Sequence, residues 1–293
     1  MLSNRLLQTL KITLLNIDFV QLGNSWDYTN IVNPFSRLYY IKSGEGWVYH
    51  NQKKIYLKAD NLYLIPAFAL TSYYCPDFME QYYIHFTHDL EGGLNIYDIY
   101  SFDYECVANK EDIDLVKRLF TLNPNFKLPY SHPDKYKGDY YLQMKERQEN
   151  AFNNPRTFLE NKGILLQLFS RFFKKETPLE FSGNYLSKNR LTSTLEYIMQ
   201  NLDKKITLKE LSREACLSED YFSRLFLQTF GIRPIEFINR KRIEKAQLLL
   251  LTTQLSQENI AIQVGFTDIS YFSRLFKKYT KVTPMKYQRM ESI

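Results

Sequence analysis

The hexapeptide YFSRLF occupies residues 221–226 and recurs at residues 271–276. Each copy belongs to a longer matching segment, ITLKELSREACLSEDYFSRLFLQTFGIRP at 206–234 and LSQENIAIQVGFTDISYFSRLFKKYTKVTP at 255–284. The two segments match position by position, with one extra residue in the turn of the second. Any pair of helical hairpins has similar periodicity, but a close repeat within one chain predicts a duplicated structural unit.

Local signals place two helices in each copy. Each segment opens with a hydroxyl residue suited to a helix N-cap, and Thr207 with Glu210 has the spacing of a capping box. In both hexapeptides the apolar residues recur at positions i, i+3 and i+4, which leaves the Ser-Arg pair on the outer face. The pattern therefore predicts two helix-turn-helix units, at about 207–229 and 256–279.

Positive charge is concentrated in the part of the chain that holds the repeat. The 293 residues carry a formal charge of +6, from 38 Lys+Arg and 32 Asp+Glu. From Lys188 onward there are 18 basic and 11 acidic residues, a balance of +7, so the remainder has 38 − 18 = 20 basic and 32 − 11 = 21 acidic residues. A basic segment on a neutral body favours a polyanionic partner.

Composition favours a cytoplasmic protein without a membrane partner. Apolar residues make up 44% of the chain, which is ordinary for a globular protein, and no apolar run reaches membrane-spanning length. The N-terminal segment has charges and no small-residue cleavage site, so it does not read as a signal peptide. Three cysteines in no paired motif fit a reducing compartment.

The N-terminal half has a different pattern from the repeat. Residues 30–90 alternate in the manner of short strands, with tight turns expected at SGEG (43–46) and KADN (58–61), which predicts an antiparallel barrel or sandwich. A helical region follows, with an apolar stripe at Ile164, Leu165, Leu168, Phe169 and Phe172. This stripe is expected to lie partly in a two-fold interface, or else against the chain's own barrel.

The last hundred residues resemble the DNA-binding domain of the AraC/XylS family of bacterial transcription regulators. The likeness is carried by the repeat, by IEFINRKRIEKAQLLLL (235–251) as a joining helix, and by GFTDISYFSRLFKKYTKVTPMKYQR (265–289). One departure is Cys216, which stands in the first turn where the second has Gly265; if that turn needs a positive φ, the cysteine is mildly strained. More faintly, IKSGEGWVYHNQKKIYLKADNLYLIP and YYIHF resemble the sugar-sensing cupin barrels of some members.

The resemblance implies an α+β, multidomain fold. An N-terminal cupin-like antiparallel β-barrel with following helices would precede an all-α domain of two helix-turn-helix units joined by a long helix. The expected boundaries are 1–135 for the ligand-sensing barrel, 136–180 for a helical dimerisation region, 181–187 for a linker and 188–293 for the DNA-binding domain.

Outer-face residues of the two second helices are the predicted DNA contacts. Arg224 and Arg274 lead, because arginine donates two hydrogen bonds to guanine edges and also reaches phosphates. Arg224 is expected to have a base or mixed role, and Arg274 a largely positioning one. The remaining candidates are Asp220, Ser223, Ile269, Ser270, Ser273, Lys277 and Lys278. The cations of the joining helix, at 240–242 and 245, either contact phosphates or form a solvated face.

The barrel offers candidates for a ligand pocket, and none for catalysis. Alignment with sugar-binding members, together with the stacking capacity of aromatic rings, selects Lys42, Trp47, Tyr73 and Tyr83. The histidines of IHFTH form no HxH pair and lack an acid to complete a metal set, so no metal or other cofactor is predicted. Nucleophile elbows, P-loops and dinucleotide fingerprints are absent from the sequence, and the chain is not predicted to be an enzyme.

The sequence thus predicts a ligand-responsive transcription regulator. Its partners would be double-stranded promoter DNA, a second copy of the chain in a homodimer and a small-molecule effector, such as a sugar or related metabolite. RNA polymerase stays open as a further partner. Two alternatives remain: a DNA-binding regulator whose barrel serves only dimerisation or protein contact, and a cupin enzyme fused to a DNA-binding domain.

Overall fold

The computed structural model describes residues 7–50, 53–128, 154–174 and 185–289, and these form two compact units. The sheet unit comprises the described residues from 11 to 88 and from 102 to 174. The helical unit comprises those from 185 to 289, together with residues 7–10 and 89–101. None of the helices described has both the length and the apolar composition needed to cross a membrane.

The sheet unit is built on one antiparallel sheet. In the described residues its eight strands are β1 (Lys11–Leu22), β2 (Asp27–Ile31), β3 (Ser36–His50), β4 (Lys53–Lys58), β5 (Asn61–Ile65), β6 (Thr71–Tyr74), β7 (Met79–Asp89) and β8 (Glu105–Val107). The main order is β1-β7-β3-β5-β8, while β4 and β6 pair with β3, and β2 pairs with β6. Residues of β3, β5, β6 and β7 that share one face of the sheet meet in an apolar core.

The long strand β3 organises this sheet, because its two halves have different neighbours. The first half pairs with β5 and β7, and the second with β4 and β6. The predicted tight turn at 43–46 is wrong, since β3 runs unbroken through these residues. Instead the register against β7 shifts between Ile41 and Ser43. Gly44 has φ +75°, and a Cβ there would lie 2.1 Å from the backbone oxygen of Phe78, so only glycine fits this close approach.

The second predicted turn, at 58–61, is confirmed. Residues 59 and 60 form the turn between β4 and β5, with Asp60 in the left-handed region at φ +60°. Asp60 also donates its backbone N–H to the oxygen of Ile41 at 2.8 Å. Asp and Asn tolerate this backbone conformation better than other non-glycine residues, which explains the choice at this position.

Two helices of the sheet unit, α2 (Lys110–Leu122) and α3 (Pro155–Ser170), pack against strand β1 and against each other. The apolar stripe of the predicted dimerisation region lies on α3 and just beyond it. All five of its residues (Ile164, Leu165, Leu168, Phe169 and Phe172) are buried within the chain itself. The ring of Phe169 lies 5.5 Å from those of both Phe86 and Phe102. The expectation that this stripe contributes to a two-fold interface is therefore wrong.

The helical unit contains the repeat. Its helices are α1 (Ile96–Ile99), α4 (Tyr185–Gln200), α5 (Leu208–Glu214), α6 (Glu219–Phe230), α7 (Pro234–Thr252), α8 (Gln257–Gln263), α9 (Ile269–Thr280) and α10 (Pro284–Arg289). Helices α5 and α6 form one helix-turn-helix, α8 and α9 the other, and α7 is the long joining helix. The predicted fold class, an antiparallel sheet followed by two helix-turn-helix units, is confirmed.

Each repeat unit is fixed by its cap and its aromatic core. The capping box of Thr207 and Glu210 is present, with Thr207 accepting the Glu210 N–H at 3.2 Å. Ser256 caps α8 in the same way by accepting from Asn259 N–H. Phenylalanines of the hexapeptides form the cores, as Phe222 does with Phe226 in α6, and both are fully buried.

The turns of the two units share a positive φ but have different surroundings. Cys216 has φ +52° and Gly265 has φ +94°, so the strain predicted for the cysteine is present. A Cβ on Gly265 would lie 2.1 Å from the Leu202 oxygen and 2.9 Å from the Arg242 guanidinium. The second turn therefore requires glycine because of close backbone packing, whereas the exposed first turn accommodates a side chain.

Candidate nucleic-acid interface and ligand cavity

Helices α6 and α9 present equivalent outward faces. Because Phe222 and Phe272 turn inward, the arginines two positions later, Arg224 and Arg274, are exposed. The other predicted contacts share these faces: Asp220, Ile269, Ser270, Lys277 and Lys278 are exposed, while Ser223 and Ser273 are half-buried. The two helices thus offer short polar side chains and long cations side by side, which suits a DNA major groove.

Two cations on the exposed face of α9 have partners within the helical unit. In α9 the guanidinium of Arg274 lies 6.0 Å from the ring centre of Tyr271, which in turn accepts a hydrogen bond from Asn239 at 3.2 Å. Lys278 forms a loose, exposed pair with Glu236 at 3.8 Å. Such a pair contributes at most about 1 kcal/mol, so it leaves Lys278 free to exchange Glu236 for a phosphate.

Cations of the joining helix α7 have internal roles. Lys241 is only 3% exposed, and its ammonium contacts Asp98 at 2.5 Å and Glu244 at 2.7 Å. Arg242 donates to the backbone oxygens of Leu202 at 2.8 Å and Lys204 at 2.5 Å. These two residues hold the helical unit together, so the interpretation that the whole run contacts phosphates or forms a solvated face is wrong.

The helix-turn-helix region is similar in sequence to known transcription regulators. Residues 211–290 match the family model described as a helix-turn-helix domain. Over 101 residues the chain is 36% identical to the arabinose operon regulatory protein of Escherichia coli, covering 34% of this chain and 35% of that protein. It is also 35% identical over 96 residues to the uncharacterised HTH-type transcriptional regulator YisR of Bacillus subtilis, covering 33% of each. These alignments span about a third of the relatives' own length.

Residues 211–290 form a helix-turn-helix domain, and in sequence this part of the chain is similar to the arabinose operon regulatory protein. The resemblance drawn from the repeat is thereby confirmed for the C-terminal part. Over the whole length, the chain resembles an apo form of ToxT from Vibrio cholerae, with a TM-score of 0.51, 14% identity and coverage of 97% of this chain and 98% of that one. At that identity the likeness shows the fold alone.

Ahead of the helix-turn-helix domain, the sheet unit contains a half-open cavity of about 190 Å³. Side chains from β1, β2, β3, β6 and β7 line it, together with the loops beside them. The lining residues are Asp18, Val20, Leu22, Trp26, Tyr28, Asn33, Arg37, Tyr39, Tyr73, Gln81, Tyr83, His85 and Leu128. Five of them are aromatic residues other than histidine, and these stand beside a few polar groups, as in small-molecule sites.

The polar groups of the cavity come from facing positions on β3 and β7. Arg37 lies opposite His85 in the register of these strands, and Tyr39 lies opposite Tyr83. Arg37 is 2% exposed and donates to Thr71 Oγ1 at 3.2 Å, with its guanidinium carbon 5.1 Å from the ring centre of Tyr73. Burial, and then the positive charge of Arg37, lower the pKa of His85 well below 6.5, so that imidazole is neutral near pH 7.

Two of the predicted ligand contacts line this cavity and two lie elsewhere. Tyr73 and Tyr83 are in the wall. Lys42, with half of its side chain exposed, pairs with Glu80 at 3.0 Å. Trp47 packs on Tyr74, with ring centres 5.6 Å apart. Because side chains alternate along a strand, Lys42 points away from the face that carries its neighbours in β3.

Sequence reasoning missed Arg37 and Gln81, and it did not select His85 as a ligand contact. A signal was present, since Arg37 shares the inward parity of Tyr39 and Ile41 in β3. An arginine at an inward strand position is rarely buried without a specific role. Among the described residues, no group of three or more His, Cys, Asp or Glu side chains is placed to hold a metal ion.

Proposed function

We propose that this protein is a transcription regulator that binds promoter DNA through α6 and α9 and responds to a small molecule in the sheet unit. The observation that carries the proposal is the duplicated AraC-type unit with Arg224 and Arg274 on equivalent exposed faces. Two recognition helices on one module can enter successive major grooves, which lie roughly 34 Å apart along one face of the duplex.

Charge supports the same conclusion. From Lys188 onward the balance is 18 basic against 11 acidic residues, and Lys241 and Arg242 are engaged internally. The cations left for DNA therefore include those of the recognition helices themselves. Phosphate contacts of this kind release counterions, so the logarithm of the binding constant should fall by about 0.9 per contacted phosphate with the logarithm of salt concentration.

A second candidate function is a DNA-binding regulator whose sheet unit binds no ligand and serves only dimerisation or protein contact. The cavity and its buried polar lining favour the ligand-responsive form instead. Homodimer formation stays a prediction, and the stripe on α3 is not its surface because the stripe is buried within the chain.

The test is selection of bound fragments from genomic DNA by the full chain, followed by a salt titration on the selected sequence. We expect an enriched sequence with two adjacent half-sites and a steep loss of affinity with salt. Failure to enrich any sequence, with no salt-dependent binding even at low ionic strength, would contradict the proposal.

A further inference from the structure

The cavity of the sheet unit gathers polar atoms that the described part of the chain leaves without a hydrogen bond. They are Gln81 Oε1 and His85 Nδ1, on side chains that are 3% and 5% exposed. Both residues line the cavity. A buried polar atom with no partner is destabilising, and a bound molecule that supplies the missing hydrogen bonds would offset that cost.

A permanent positive charge stands beside these two atoms. Arg37 cannot lose its proton in a protein, and its burial places that charge in a region of low dielectric constant. The charge of Arg37 also acts on neighbouring side chains. Burial is the larger cause of the lowered pKa values of His85 and His50, and the charge of Arg37 is the second cause. Burial also raises the pKa of Tyr39, and there the charge of Arg37 acts in the opposite direction. In each case the contribution of Arg37, which is smaller than that of burial, has the sign expected of a nearby positive charge.

One acid also lines the cavity, and it is engaged locally. Asp18 Oδ1 accepts the N–H of Phe19 at 2.9 Å. The charge of Asp18 acts on Tyr83, whose pKa is raised by burial first and by Asp18 among the smaller causes. The charge of Asp18 thus acts on Tyr83, whereas Arg37 lies opposite His85 in the sheet. The positive potential near Arg37 matches an anion bound at that end.

Size and wall chemistry restrict the rest of the ligand. An apolar cavity of roughly 150 Å³ holds a single benzene ring, so about 190 Å³ suits one six-membered ring with a small substituent. Trp26 lies with its ring centre 5.3 Å from that of Tyr73 and 6.4 Å from that of Tyr39. Aromatic faces of this kind pack on flat rings and on the apolar faces of sugars.

We propose that this cavity binds a one-ring carboxylate, whose carboxylate is held by Arg37 and whose ring lies against Trp26 and Tyr73. Gln81 and His85 would accept or donate hydrogen bonds to substituents of the ring. Arginine favours carboxylates because its planar fork of donors matches both oxygens. This inference rests on the proposed function only in making the bound acid the effector, since binding itself requires no DNA.

The chemistry fits two sources, an aromatic acid and a sugar acid, and the experiment separates them. Calorimetry on the full chain without DNA would compare benzoate with benzamide, and glucuronate with glucose. We expect at least one carboxylate to bind at least tenfold more tightly than its uncharged counterpart. Binding of benzoate alone would identify the aromatic source, and binding of glucuronate alone the sugar acid. If neither acid binds, or if the neutral molecules bind as tightly, the proposal is overturned.

A pair of variants on one strand then locates the carboxylate. Arg37→Gln and Lys42→Gln both remove one positive charge from β3, but only Arg37 lines the cavity. We expect Arg37→Gln to abolish the preference for the acid over its neutral counterpart, while Lys42→Gln keeps it. A folded Arg37→Gln protein that retains the preference would overturn the assignment.

A substitute variant and a separate measurement of DNA binding complete the test. If Arg37→Gln does not fold, Gln81→Glu replaces it, because a second carboxylate in the cavity should repel the acid by at least tenfold in Kd with little change of shape. DNA binding is measured separately on the same preparations. Carboxylate binding without any DNA binding would count against the proposed function alone, and DNA binding without carboxylate binding against this inference alone.

Discussion

Replacing Gly265 by alanine is predicted to destabilise the helical unit strongly, although the equivalent turn tolerates Cys216. Both residues have positive φ, at +94° and +52°. The difference lies in the surroundings, because a Cβ on Gly265 would meet the backbone oxygen of Leu202 at 2.1 Å and the guanidinium of Arg242 at 2.9 Å. The alanine can be accommodated only if the turn or these partners move.

The expected cost has two parts. An alanine in the left-handed region costs roughly 1–2 kcal/mol. Moving Arg242 or the Leu202 carbonyl also breaks a hydrogen bond from a charged donor, now 2.8 Å long, which is worth about 1.5–3 kcal/mol. Together these give a loss of about 2.5–5 kcal/mol in the free energy of unfolding. Cys216→Ala keeps the same backbone strain and is expected to change that free energy by less than about 1 kcal/mol.

Denaturant unfolding of the full chain measures both variants. Far-ultraviolet circular dichroism follows the helices, while fluorescence of the two tryptophans, Trp26 and Trp47, reports the sheet unit alone and serves as an internal control. Equal, small losses for Gly265→Ala and Cys216→Ala would refute the claim that close packing at Leu202 and Arg242 demands glycine in the second turn.

Three further predictions follow from burial, charge and backbone conformation. Burial lowers the pKa of His50 to about 4 and that of His85 well below 6.5, so the unfolded chain binds more protons than the folded chain between pH 6.5 and pH 4. As the pH drops through this range, the free energy of unfolding of the sheet unit should therefore fall, by up to about 1.4 kcal/mol per pH unit for each histidine. Tryptophan fluorescence during denaturant unfolding at several pH values measures this fall. Lys281 ends α9 at φ +64°, so Lys281→Gly should raise the melting temperature, by relieving about 1 kcal/mol of strain. Asp98→Ala should lower the free energy of unfolding of the helical unit by about 2–4 kcal/mol, less than for a fully orphaned charge because the buried Lys241 keeps a second carboxylate partner.

Each of these predictions has a matched control. His50→Asn should flatten part of the pH dependence, and an unchanged profile would exclude His50 as a cause. Gly231 already ends α6 at φ +70°, so Gly231→Lys should destabilise where Lys281→Gly stabilises. Glu236→Ala removes an exposed carboxylate, paired with Lys278 at 3.8 Å, and should cost under about 1 kcal/mol. Equal losses for Glu236→Ala and Asp98→Ala would contradict the role given to burial.

Features that depend on neighbours in sequence could be predicted. The caps at Thr207 and Ser256, the inward phenylalanines of the hexapeptides and the positive φ at Cys216 all follow from residues within a few positions. The structural role of a glycine, however, could not be predicted from neighbouring residues alone. Gly44 reads as a turn residue in sequence, whereas the structure uses it for a close approach to Phe78 inside a continuous strand.

Features that depend on distant residues could not be predicted. Lys241 reads as one of a row of surface cations, because its partner Asp98 is far away in the chain. The ligand cavity depends on the register that sets Arg37 opposite His85, and alternation within one strand does not give that register. The stripe on α3 was recognised as apolar, but sequence does not say which surface covers it.

The most direct test of the central claim is the affinity of the full chain for its selected DNA sequence in the wild type and three arginine variants. Arg224→Ala and Arg274→Ala change the recognition faces, while Arg156→Ala removes the same charge from an exposed position on α3 of the sheet unit. We expect each recognition-helix variant to lose at least fivefold in affinity at physiological salt, Arg156→Ala to bind as tightly as the wild type, and all three variants to keep the wild-type melting temperature. Unchanged affinity in both recognition-helix variants, or equal losses in all three, would contradict it.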